Sequence, residues 1–142
     1  MQKLVLDKLT ETLEAVPEVR AVYPPLFEGS IETYPSVIIA PDSFSNTFAS
    51  TGTNRKSYQY QMWVMVQATK DKTASDIMKD TLLVVSDAVV KKLDKEWNGG
   101  AVEGHRLWFR TSAGLMGYAT EDVGKVVWQQ FTVLAEIETS VV

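Results

Sequence analysis

The sequence predicts an α+β fold: a single largely antiparallel sheet with two helices packed on one face, in the order α-β-β-β-α-β-β. Three observations lead to it. Apolar residues recur at spacings of three and four around residues 6–16 and 78–93, the signature of a helix with one buried stripe. Residues 58–68 and 125–138 instead alternate with period two, as half-buried strands do. Proline and glycine fall between these segments and punctuate them. A chain of 142 residues with 45% hydrophobic and 23% charged residues has the length and composition of one globular domain, residues 1–142.

The elements follow in chain order. Leu6, Leu9, Leu13 and Val16 line one face of a first helix, which Pro17 ends. A short extended piece at residues 19–23 is halted by Pro24 and Pro25, and residues 26–35 read as loop. Residues 37–40, β-branched and bounded by Pro35 and Pro41, read as a second strand. Residues 42–57, rich in Ser, Thr and Asn, read as a long polar loop. After the strand at 58–68, Thr73 with Asp76 three residues on has the spacing of a helix N-terminal capping box. The helix that follows carries Met78, Leu82, Val85, Val89 and Leu93 as its stripe and stops near Lys95 at Asn98-Gly99-Gly100. A strand from His105 to about Met116, interrupted by Gly114, and a closing strand at 125–138 complete the order, joined by a turn at Asp122-Val123-Gly124.

Charge and composition narrow the function. A net charge of −4 argues against a dedicated nucleic-acid binder, which needs basic groups to displace counterions from phosphate. With no cysteine and a single histidine, His105, thiolate chemistry is absent, and no metal constellation or histidine-based acid–base site stands out. Asp76, Asp80 and Asp87 are interleaved with Lys79 and Lys91, the pattern of a solvated helix face. The glycine-rich stretch at 99–104 lacks the Lys-Ser/Thr of a phosphate loop and reads as a helix stop and connector. We therefore expect no enzyme, no cofactor and no metal. No apolar run reaches the length of a membrane helix, and the amino terminus lacks a signal peptide's apolar region, so the chain is expected to be made and folded in the cytoplasm, with no membrane partner.

Strand parity yields the positive expectation. Tyr58, Tyr60, Met62, Val64, Val66 and Ala68 share one face, as do Val127, Phe131, Val133, Ala135 and Ile137, with Gln129 the exception. The other face mixes Gln59, Gln61, Trp63, Met65 and Gln67 with Trp128, Gln130 and Glu136, and with Arg106, Trp108 and Arg110. Two helices cover one face only, so Trp63, Met65, Trp108 and Trp128 are candidates for contact with a partner, unless loops of the same chain fold over them. In the polar stretch, Phe44 and Phe48 are candidate anchors in a neighbour, and Arg55 and Lys56 candidate partners for its acidic groups.

The layout resembles the tail-terminator (tail-completion) proteins of long-tailed bacteriophages. The likeness rests on the helix at 2–16, on Tyr34-Pro35-Ser36-Val37-Ile38-Ile39 opening a strand, and on the polar stretch after it. It continues through Trp63-Val64-Met65-Val66, the helix at 74–93 and the strand from Trp128 to Ile137. It implies a virion subunit, assembled in the host cytoplasm, that forms a homo-oligomeric ring, usually a hexamer, on the last ring of the tail tube protein. Such a ring stops polymerisation and offers a joint to the head connector, while DNA passes through without specific binding. The resemblance carries over no catalytic residue. A small non-enzymatic binding module, an assembly chaperone and another neck or tail ring protein of similar fold stay open beside it.

Overall fold

The computed structural model describes residues 1–50, 52–68, 71–95, 100–102, 105–121 and 124–140. It is an α+β fold built on one mixed sheet. The elements are α1 (Gln2–Glu14), β1 (Ala21–Tyr23), β2 (Ser36–Ser50), β3 (Thr53–Ala68), α2 (Ala74–Ile77), a π turn (Met78–Leu82), α3 (Leu83–Lys95), β4 (Gly100–Val102), β5 (His105–Glu121) and β6 (Gly124–Ser140). Because α2, the π turn and α3 run on without a break, the helical layer consists of two rods. The strand order is β1-β2-β3-β6-β5-β4, antiparallel throughout except for the β1–β2 pair.

The core lies between the helices and one sheet face. Val5, Leu9 and Leu13 of α1 and Ile77, Leu82, Val85, Val89 and Leu93 of the second rod join Val37, Ile39, Met62, Val64, Leu107, Phe131, Val133 and Ile137 in one cluster. In α1 the buried stripe uses Val5 in place of the expected Leu6, and Thr12 completes it. The Thr12 hydroxyl donates to the Lys8 carbonyl at 2.7 Å, so its burial leaves no polar group unmet. In the second rod, Ile77 and Leu82 are five residues apart and both buried. The π turn between them supplies the extra residue that brings both onto the sheet side. Thr73 caps this rod as its spacing predicts, its Oγ1 accepting from the Asp76 backbone N–H at 3.1 Å.

Two expectations are corrected. Residues 42–57 are not a loop: β2 continues to Ser50 and pairs with β3 as far as Ser50↔Thr53, making a long hairpin. Pro41 does not stop β2, because beyond Ile38 that strand has no described neighbour on its outer side and a bulge between Pro41 and Ser43 absorbs the irregularity. Part of the expected connector forms a sixth strand, β4, on His105–Leu107. The turn at 122–123 and the helix stop at 98–99 lie outside the described residues.

Gly114 interrupts β5 in a specific way. A bulge between Ala113 and Met116 shifts the register by one, so that the odd-numbered residues face the core before it and the even-numbered ones after it. Leu115, Met116 and Tyr118 therefore leave the alternation read from the sequence, and all three are exposed.

Candidate functional site: the uncovered face and the two sheet edges

The face away from the helices carries the three tryptophans, one on each of β3, β5 and β6, as parity predicts. Trp63, Trp108 and Trp128 are each half-buried, neither sealed nor free. Met65 is buried, at 8% exposure, beside its cross-strand partner Trp128, and Ser36 in the same row is fully buried. That end of the face is closed within the chain, and Met65 offers little to a partner.

Polar groups on this face largely satisfy one another. The Asp42 carboxylate, at the β2 bulge, accepts from Gln59 Nε2 and Gln61 Nε2, both at 2.8 Å. Gln61 Oε1 in turn accepts from Gln130 Nε2 at 2.9 Å and Thr132 Oγ1 at 3.3 Å, tying β2, β3 and β6 together. Farther along, the buried Glu136 carboxylate accepts from Trp108 Nε1 at 2.9 Å and from the Arg110 guanidinium. Arg55 pairs with Glu138 at 2.9 Å, and its guanidinium lies 5.7 Å from the Trp108 ring centre. Instead of reaching for a neighbour's acid, Arg55 is engaged in its own chain, where the bond to Glu138 raises its pKa. Lys56 is half-buried and shares a row with Ile137 on the opposite face.

The six-membered ring of Trp128 lies over the space where a side chain at Gly117, its cross-strand partner, would begin. A Cβ at Gly117 would sit 2.3 Å from Trp128 Cζ2, a distance no side chain tolerates. Gly117→Ala therefore pushes the indole off the sheet. Thermal or urea unfolding is expected to show a loss of about 1–2 kcal/mol, the lower part of the overpacking range because the half-buried ring can swing outward. An unchanged midpoint would show that the ring does not lie there.

Phe44 is half exposed and stacks on Tyr58 with ring centres 5.0 Å apart. Together with Tyr60 and with Gln2, Lys3 and Leu6 of α1 these rings line an open groove of about 450 Å³. Burial pushes the Tyr60 phenol up to about 12 and also raises Tyr58, so both rings are neutral, apolar walls at ordinary pH. The side chain of Phe48 lies outside the described residues. His105 is half-buried at the start of β5. Among the described residues no group of three His, Asp or Glu side chains could hold a metal ion, and no helix is long and apolar enough to cross a membrane.

Strand parity does not find the exposed large apolar residues. They are Leu26, Phe27, Phe44, Val84, Leu115, Met116 and Tyr118 among the described residues. Five of them lie at the two edges of the sheet, while Leu26 follows β1 in the chain and Val84 is on α3. Phe44 is on β2, and Phe27 packs on Tyr23 of β1 with ring centres 4.6 Å apart; Leu115, Met116 and Tyr118 are on β5. The Gly114-Leu115-Met116-Gly117 run holds the one available signal, because two glycines astride an apolar pair mark a bulge at which alternation resets.

No family model and no curated protein matches this chain. The functional reading therefore rests on the surfaces themselves.

Proposed function

We propose that this chain is a structural subunit that works by contact with copies of itself and with neighbours in an assembly, and that the assembly is a phage tail. In this reading it forms a ring of the tail-terminator kind, which caps the tail tube, stops its growth and provides the joint to the head connector. One observation carries the contact reading: five of the seven exposed large apolar side chains among the described residues lie at the two opposite edges of the sheet. A lone protein rarely leaves such side chains clustered on open strand edges, because they invite pairing with another chain. The layout of helices and strands supports the tail assignment through its resemblance to tail terminators. The net charge of −4 suits a ring through which DNA slides, since a negative wall repels phosphate.

The mechanism is geometric. One surface of the ring matches what the growing tube presents, the opposite surface does not reproduce it, and addition of tube subunits ends there. The test is co-assembly with the tube subunit of the same phage, followed by electron microscopy of tube length. Added at the start of polymerisation, the chain is expected to give short tubes with a ring at one end. Tubes that grow to full length, with the chain left in solution, would overturn the tail reading.

A further inference from the structure

The two open edges are complementary to each other. β1 covers only Ser36–Ile38 of β2, and β4 covers only His105–Leu107 of β5. From Ile39 and from Trp108 onward, each strand has no described neighbour on its outer side. Three antiparallel pairings separate β2 from β5, so the two edges run in opposite directions. A second copy in the same orientation, moved sideways by one sheet width, sets its β5 antiparallel to the first copy's β2, the arrangement in which edge strands bond best.

Side chains agree with that alignment. Ser43, Gln59, Leu134 and Arg110 form one row across the sheet, and Asp42 sits in the bulge next to Ser43 with its carboxylate held by Gln59 and Gln61. Asp42 and Arg110 are thus at the same height, on the same face, on opposite edges, and both are exposed. Val22 and Met116 share another row, through Val37, Val64 and Gln129. The apolar residues of β5 therefore stand level with β1 and with Phe27, which packs on it. Between these heights Ile39–Ser45 and Trp108–Ala113 span the same rows, with β4 ending the stretch on one side and β1 on the other. The β5 bulge falls just where a neighbour's β1 would begin.

We propose that copies of this chain join head to tail by pairing the β5 edge of one with the β2 edge of the next. Arg110 meets Asp42, and Leu115, Met116 and Tyr118 pack against β1 and the Phe27 ring that lies on it. The contact is heterologous, so it closes into a ring when the rotation between copies allows. Pairing like with like would gather two Asp42 carboxylates on one joint or two Arg110 guanidinium groups on the other. This deepens the ring reading and rests on it for closure.

The chain contains no cysteine, which makes a clean test possible. Ala40 and Ser112 share a row through Gln61 and Thr132, two residues from Asp42 and Arg110. The variant carrying both Ala40→Cys and Ser112→Cys is expected to give, on mild oxidation, a reducible ladder of covalent oligomers ending at a closed species, while each single variant stays monomeric on a denaturing gel. Asp42→Lys, which leaves circular dichroism unchanged, is expected to weaken association at least about tenfold by setting like charges face to face. Covalent dimers from a single-cysteine variant would overturn the head-to-tail pairing. So would failure of the double variant to cross-link although light scattering shows an oligomer, in which case the ring reading stands with its joint elsewhere. No cross-link and no oligomer would overturn both.

Discussion

Leu9→Ala lowers the stability of the folded chain by about 2–5 kcal/mol, the range for removing a buried leucine side chain, whereas Leu115→Ala leaves it within about 0.5 kcal/mol. Leu9 is fully buried, in the cluster that holds α1 on the sheet; its loss leaves a cavity that both rods and the strands beneath must collapse to fill. Leu115 is 72% exposed on the β5 edge, so a single chain loses little with it. Urea unfolding at low protein concentration, where association adds least, measures both. The contrast separates what holds the fold from what is offered to a neighbour. Comparable losses at the two positions would mean that the β5 edge is covered within the chain, and the contact reading would lose its main support.

Glu136→Ala is the second large effect. The carboxylate is buried on the uncovered face and accepts both the Trp108 indole N–H and the Arg110 guanidinium. Truncation leaves an indole donor unmet and frees Arg110, whose side chain is largely exposed and can return to water. The expected loss is about 2–3 kcal/mol, within the range for hydrogen bonds to charged groups and below that for stranding a fully buried charge. Glu136→Gln, which can still accept from the indole, is expected to lose less. Differential scanning calorimetry of the two variants reads the difference; equal losses would mean that the indole contact contributes nothing and the charge everything.

The tryptophan face is legible in the sequence because a strand alternates strictly. Parity alone sorts Tyr60, Met62 and Val64 from Gln61 and Trp63, and the helices bury the side expected of them. The hairpin arm is not legible. Residues 43–47 place Ser, Asn and Thr around Phe44, and a ribbon that is wet on both faces carries no hydrophobic alternation to betray it. Pro41 points the wrong way, because proline reads as a strand stop unless the edge position is known. The apolar edge is hidden by the β5 bulge, which reverses parity for Leu115, Met116 and Tyr118 without a change in composition. Hydrogen bonds such as Arg55 to Glu138 join residues far apart in the chain, and only the strand register brings them together.

The most direct test of the central claim is the solution mass of the purified chain, by light scattering across a wide concentration range. If exposed apolar edges exist to meet other copies, the mass settles at one discrete multiple of 15.8 kDa and falls when those edges carry charge. A monodisperse 15.8 kDa species at the highest concentration reached, unaltered by substitutions at Asp42 or Leu115, would contradict it.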